Sequence, residues 1–159
     1  MLTPLGPMLA GATDQGLCLL EFTDRRMLEG QIRALTKQLD AGFHPGRNEH
    51  TRAVAAQLEE YFAGKRRDFT VPLVLKGTPF QEKVWRALQQ IPYGETRSYE
   101  EIARAVGSPG ATRAVGTANG RNRLAVVVPC HRVIRADGSL SGYGGGRWRK
   151  HRLLELERR

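Results

Sequence analysis

The sequence predicts two domains of different class. An α/β unit, a small sheet with helices, is expected over residues 1–76, and a mostly helical unit containing a helix-turn-helix over residues 77–159. Three observations predict this. Apolar runs of strand length around a turn-rich stretch open the chain. A capped amphipathic pattern followed by two short helical patterns begins near residue 78. Charge is also divided unevenly: residues 1–79 hold 10 Lys/Arg and 9 Asp/Glu, whereas residues 80–159 hold 15 and 7. A basic half beside a neutral half fits a polyanion-binding module on a separate support, although a basic surface that merely keeps the chain soluble would look the same.

The N-terminal elements follow in order. Pro7–Ala10 and Leu17–Phe22 flank "GATDQG" and read as a β-hairpin, with Cys18 as a core residue in its second arm. "RRMLEGQIRALTKQL" places Met27, Ile32, Leu35 and Leu39 at near-helical spacing, weakened by Gly30. "AGFHPGRNEH" is a loop. "TRAVAAQLEEYFAG" is a helix with Val54, Leu58, Tyr61 and Phe62 on one face, Thr51 as its cap and Gly64 as its stop. "DFTVPLVL" is extended, and Pro72 confines it to an edge or an end.

The boundary falls near Lys76–Thr78. Thr78 caps a helix that has Pro79 at its first position and Phe80, Val84, Leu88 and Ile91 on its apolar stripe. Ser98 and Glu101 have the spacing of a capping box at the start of "SYEEIARAVG". "SPGATRAVGTANG" is a second short helix, capped by Ser108 and opened by Pro109. Its poor helix formers, Gly110 and Gly116, suit close approach to DNA or to a packed neighbour. "NGRN" is a turn, "LAVVV" a buried strand or core segment, "RADGSL" an Asp-Gly turn and "GYGGG" a loop open to backbone contact. "RWRKHRLLELE" closes the chain as a helix with Leu153, Leu154 and Leu156 inward.

With 159 residues, 40% apolar and 26% charged, the composition is that of a soluble globular protein. No apolar run reaches the roughly 18–20 residues of a membrane span, and the N-terminal residues lack the pattern of a secretory signal. A cytoplasmic protein is expected. Two cysteines without a C-x-x-C, and four histidines without ligand spacing, give no reason to expect a disulfide or a metal.

The chemistry centres on "VVVPCHRV", residues 126–133. An ordinary thiol is only a few per cent ionised near neutral pH, so a reactive Cys130 needs a base or a local positive charge. His131 is adjacent, but neighbouring side chains diverge on strands and helices alike. A bridging water is the more reasonable link, and Pro129 favours a bend there. Glu155 or Glu157 is suited to orient the imidazole, and periodicity does not choose between them. From composition alone, Cys130 reads equally as a nucleophile and as a buried small side chain.

"PCHRV" resembles the active-site motif of the O6-alkylguanine-DNA alkyltransferases. "GTPFQEKVWRALQQIPYGETRSYEEIARAVGSPGATRAVGTANGRN" is similar to that family's helix-turn-helix region, and "GYGGGRWRKHRLLELE" to its final loop and helix. The first domain resembles the family's more loosely related N-terminal part. The resemblance implies a ribonuclease H-like first domain and a winged-helix-like second one. Cys130 would accept the alkyl group, with His131 as a water-mediated base held by Glu157. Asn122 would be the hinge asparagine, and Tyr99 would assist the departure of the flipped base. Arg113 would enter the DNA stack, and Ser98, Thr112, Ala114, Thr117, Ala118 and Arg121 would lie along the DNA. Val133, Tyr143, Gly144 and Gly145 would line the pocket, with Gly144 standing where some relatives have Ser.

The implied activity is a suicide, stoichiometric transfer from O6-alkylguanine, with O4-alkylthymine as a second candidate substrate. Double-stranded DNA would be met through the minor groove and phosphates by a monomer, with no cofactor and no metal. A DNA-binding regulator without chemistry and a cysteine hydrolase are the rival classes. The first would leave Cys130 unchanged, and the second would need an oxyanion hole.

Overall fold

The computed structural model describes all residues, Met1–Arg159, and divides into two compact units, Met1–Lys76 and Gly77–Arg159. In the first unit, β1 (Leu2–Thr3), β2 (Gly6–Ala12) and β3 (Leu17–Phe22) form an antiparallel sheet in the order β1-β2-β3. Met8 pairs with Phe22 and Ala10 with Leu20, so the expected hairpin is present, with an irregularity between Gly11 and Ala12. Every residue of β3 is buried. That burial extends to Glu21, whose carboxylate accepts from the Phe22 backbone N–H at 3.0 Å, from Gln31 at 3.4 Å and from Arg25. Cys18 is buried, and its Sγ donates to Gly11 O at 3.5 Å.

Two helices, α1 (Leu28–Leu39) and α2 (Glu49–Phe62), complete this unit. Leu35 from α1 and Val54, Leu58 and Tyr61 from α2 are buried with Met8, Leu19, Leu20 and Phe22. Two expectations need correction. Met27 precedes α1 and is exposed, because the helix starts one residue after it. Thr51 is not the cap of α2. Asn48 caps, its side chain accepting from the N–H groups of His50 and Thr51, while the Thr51 side chain reaches back to Asn48 N. Both residue types cap well, so the spacing alone could not distinguish them.

The extended segment around Pro72 meets β3 through a single parallel bridge, Leu17 to Leu73. An ideal Cβ on Gly16 would lie 2.6 Å from Pro72 O, so only glycine allows this approach.

The second unit begins with α3 (Pro79–Leu88), where Thr78 and Gln81 form a capping box. Val84, Trp85 and Leu88 of α3 are buried. The Trp85 indole donates to Ala118 O at 2.9 Å, tying α3 to α5 (Thr112–Gly120). The short strand β4 (Arg97–Ser98) runs directly into α4 (Tyr99–Ala105), which Ser98 and Glu101 cap reciprocally. Helices α4 and α5, joined through Gly107 at φ 78°, form the helix-turn-helix.

The second helix starts later than the sequence suggests. Residues 108–111 form a turn closed by Ala111 N–H to Ser108 O, and α5 begins at Thr112 without a side-chain cap. Ser108 and Pro109 therefore open a turn rather than a helix, and Gly110 lies outside the helix. At the other end α5 runs through Gly120, so "NGRN" is only partly a turn. The chain then folds through buried turns to a short 3-10 turn, Cys130–Arg132, followed by β5 (Val133–Ile134) and α6 (Arg147–Glu157). β5 pairs in parallel with β4, Arg97 to Val133 and Ser98 to Ile134. No helix is long and apolar enough to cross a membrane.

Gly16→Ala should destabilise the protein by about 1–3 kcal/mol, because the clash is with backbone that cannot rotate away. Gly30→Ala, in open space on α1, should be neutral or stabilising by up to roughly 1 kcal/mol. Urea unfolding of both variants measures the contrast, and equal shifts would contradict the packing at Gly16.

Candidate functional site

The site is built around the compact 122–133 segment. "LAVVV" is neither strand nor helix. It is a buried chain of turns, and Val126 sits at φ 72°, a conformation that β-branched residues rarely adopt. Asn122 organises it. Its side-chain amide donates to Val128 O at 2.9 Å and Leu124 O at 3.4 Å, and its Oδ1 accepts from Leu124 N–H at 3.0 Å. The same Nδ2 lies 3.1 Å from Cys130 Sγ. Asn119, on the buried side of α5, donates to Cys130 O at 3.4 Å. The backbone around the thiol is thus fixed on both sides by asparagine side chains.

His131 and Arg132 follow within the 3-10 turn. Both are buried, and both meet Glu157 at the end of α6. His131 Nε2 lies 2.8 Å from Glu157 Oε2. Arg132 grips the same carboxylate with Nε at 2.8 Å and Nη2 at 2.9 Å, and its Nη1 donates to Ile91 O at 2.7 Å. Burial alone would raise the Glu157 carboxyl, but the hydrogen bonds and charges of His131 and Arg132 overcome this and hold it well below the usual carboxylate range. Burial pushes His131 down, against the pull of Glu157 and with the help of Arg132 and Lys150. An ionised Glu157 balanced by Arg132, beside a neutral His131, is the arrangement a resting general base requires. His131 Nδ1 is buried without a protein partner. Glu155 is exposed and lies 3.8 Å from His151, so it takes no part in this cluster.

Tyr99 is carried toward the turn by the β4–β5 pairing, which sets Arg97 opposite Val133. Its hydroxyl is hydrogen-bonded to Ser141 Oγ. Burial raises its pKa, the Ser141 bond opposes that, and Cys130 adds to the rise, so Tyr99 stays protonated and can donate. Lys150, buried on α6, donates to Val133 O at 2.6 Å, Ser141 Oγ at 2.9 Å and Gly142 O at 3.4 Å. Burial pushes its pKa down to about 8, while Cys130 pulls it back up.

The pocket candidates are dispersed along one loop. Val133 is buried, and its carbonyl is occupied by Lys150. Gly145 is buried, and its carbonyl accepts from Arg149 Nη1 at 3.0 Å. Tyr143 is half-buried, and its carbonyl accepts the Gly146 N–H at 2.8 Å. Gly144 is exposed.

Of the predicted DNA contacts, Arg113, Ala114, Thr117 and Arg121 are exposed and Thr112 is half-buried. Gly116 lies over the Tyr99 ring, where its ideal Cβ would be 3.9 Å from two ring carbons. Two candidates are not available to a partner. Ala118 is buried against Trp85, and Ser98 is nearly buried with its hydroxyl accepting the Glu101 N–H.

Sequence reasoning missed Arg132, Asn119 and Lys150. Long polar side chains ordinarily read as surface. Only the position of Arg132 directly after the Cys-His pair could have drawn notice. No group of three or more His, Cys, Asp or Glu is arranged to hold a metal ion.

The charge cluster makes the second unit acid-sensitive. Glu157 is held below its ordinary range, so the unfolded chain takes up that proton first; the stability it confers is present above about pH 4.3 and lost below it. His131 is lowered too, so the unfolded histidine binds its proton from about pH 6.5 downward and stability drains in the same direction. Urea midpoints should fall steadily from pH 7 to pH 4. Glu157→Gln should lower the midpoint at pH 7 and flatten the lower part of the slope. A pH-independent midpoint would contradict the assigned charge states.

The family model described as "6-O-methylguanine DNA methyltransferase, DNA binding domain" matches residues 79–159, and that of its "ribonuclease-like domain" matches residues 1–75. The methylated-DNA–protein-cysteine methyltransferase of Mycobacterium leprae is 48% identical over 156 residues, covering 98% of this chain and 88% of that protein. The protein of the same name from Mycolicibacterium paratuberculosis is 55% identical over 140 residues, covering 83% and 85%. Among solved structures, Mycobacterium tuberculosis OGT in complex with DNA superposes with a TM-score of 0.84 at 46% identity, covering 99% of this chain and 90% of that one.

Proposed function

The chain belongs to the 6-O-methylguanine DNA methyltransferase family and is a methylated-DNA–protein-cysteine methyltransferase acting in DNA repair, and on that premise we propose that it takes the alkyl group from a flipped O6-alkylguanine onto Cys130 once per molecule. The observation that carries the reading is the pairing of His131 Nε2 with Glu157, which leaves Nδ1 without a protein partner in the turn that bears the thiol. That atom is suited to receive the Cys130 proton through a water.

The resulting thiolate attacks the alkyl carbon. The S–C bond forms as the C–O6 bond breaks, and the electron pair passes to the guanine. Tyr99 donates a hydrogen bond to the departing base. Its raised pKa keeps the proton in place until negative charge develops. Nothing in this site hydrolyses a thioether, so turnover ends after one event.

A stacked base cannot present its O6 substituent to a thiol that is nearly buried. Extrusion costs a few kcal/mol. Exposed Arg113 on α5 offsets part of this by filling the gap, and the small residues of α5 let its backbone lie close in the minor groove. Exposed cations supply the sequence-independent affinity. Methylated guanine is the expected first substrate, and O4-alkylthymine a second.

Intact-mass spectrometry after incubation with an O6-methylguanine duplex should show one methyl-for-hydrogen increment per protein. Cys130→Ala should show none. Several turnovers per protein would overturn the suicide mechanism and favour a hydrolase, whereas binding without any mass change would favour a regulator. Arg113→Ala should slow repair in duplex DNA by about tenfold or more while reaction with free O6-benzylguanine changes little. Equal losses on both substrates would remove the flipping role.

A further inference from the structure

We propose that the exposed face of α6 around Trp148 is a second nucleic-acid contact, on which the indole packs against the deoxyribose edge of the bound duplex while Arg147 and Arg152 meet its phosphates. The proposal rests on the DNA-repair reading but adds a surface apart from the α5 face.

Trp148 is 55% exposed and is the only large apolar side chain of residues 77–159 left so open. It is nevertheless held in place. The Arg149 guanidinium lies 4.7 Å from the indole centroid, and its Nη1 simultaneously donates to Gly145 O at 3.0 Å. The indole also rests on Gly146, at φ 96°, where an ideal Cβ would come within 3.1 Å of two ring atoms. An aromatic ring fixed by a buried arginine loses little further freedom on binding, which favours a preformed contact over an idle surface residue.

The surroundings select the partner. Arg147 precedes the indole, and His151 and Arg152 follow at helical spacing, all exposed. Glu155 is the single acidic group on this face and lies 3.8 Å from His151. Cations around one exposed aromatic, on a helix face with no other apolar side chain, fit a nucleic-acid backbone better than a lipid surface.

The patch is also continuous with the reaction site. Arg147 donates to Leu140 O at 2.9 Å, Lys150 donates to Ser141 Oγ at 2.9 Å, and Ser141 is the partner of Tyr99. Arg135 and Arg147 both act on the charge of Lys150.

The two tryptophans give a direct test, because Trp85 is only 2% exposed. Acrylamide should quench a component of the intrinsic emission that disappears in Trp148→Phe. A short duplex that seats one protein molecule should protect that component. Trp148→Ala should weaken duplex binding by about tenfold, with Trp148→Phe recovering most of it. A double Arg147→Gln/Arg152→Gln variant should reduce the salt slope of binding by roughly two phosphate contacts. Thermal unfolding checks that each variant is folded. Unchanged quenching in the complex, or wild-type affinity of Trp148→Ala, would overturn the proposal. Protection seen only on long duplexes that seat several molecules would assign the face to a second copy of the chain and overturn it equally. Methyl transfer to Cys130 is scored in the same samples. Its absence would sink the repair reading, whereas normal transfer with an unprotected Trp148 would sink the surface alone.

Discussion

A buried carboxylate must be met on all sides or not be buried at all, and Glu157 is the point where the second unit satisfies that demand. Its two oxygens take His131 and both arms of the Arg132 fork. Arg132 then passes its remaining donor to Ile91 O, and Tyr93 Oη donates to Leu156 O at 3.4 Å. One charge therefore binds together the end of α6, the turn bearing the thiol and the segment after α3. It also sets the protonation of His131. With Arg132 already balancing the carboxylate, a proton on His131 would leave a net positive charge in a desolvated space. The imidazole rests neutral for that reason, and a neutral imidazole is the form that can accept a proton.

The thiol needs a second constraint, because a cysteine after an apolar run would ordinarily sink into the core. Here the run is folded back on itself. Asn122 spans Leu124 and Val128 and reaches Cys130 Sγ, eight residues along the chain. Val126 accepts φ 72° to make this possible, at a cost of about 1–3 kcal/mol for a non-glycine residue. Burial of Leu124 and of Val126–Val128 offsets that strain. The valines are thus the weight that holds a strained backbone closed, and the asparagine is the clasp.

Much of this fold was legible because it is encoded locally. Thr78 with Gln81 and Ser98 with Glu101 form reciprocal caps that depend only on spacing. The hairpin at Leu17–Phe22 follows from apolar runs around a turn. The failures arise where two local solutions compete. Asn48 and Thr51 both cap, and tertiary contacts choose Asn48, whose amide also donates to Thr13 O at 3.1 Å. Ser108-Pro109 suits a helix start and a turn equally. The site was legible as a Cys-His pair with a glutamate to follow, but residues-only reasoning left Glu155 and Glu157 open. They fall on opposite sides of α6, and the phase of that helix is set by packing rather than by composition. Lys150 and Arg132 were invisible for a related reason: their burial depends on carbonyls and a carboxylate brought from far along the chain.

Those same buried cations change what the net charge of the second half means. Residues 80–159 hold 15 Lys/Arg. Yet Arg123, Arg132, Arg149 and Lys150 are all buried, facing Trp85, Glu157, Gly145 and the Val133–Gly142 loop respectively. None of the four is free to release counterions from DNA, so the charge count overstates the number of phosphate contacts. The cations divide by depth into two tasks. Arg132, Arg149 and Lys150 fix the turn and the loop around the thiol, Arg123 packs over Trp85, and only the exposed cations are left to meet a polyanion. A substitution of a buried arginine should therefore be read as a change in the site's architecture, even where the protein's affinity for DNA changes as well.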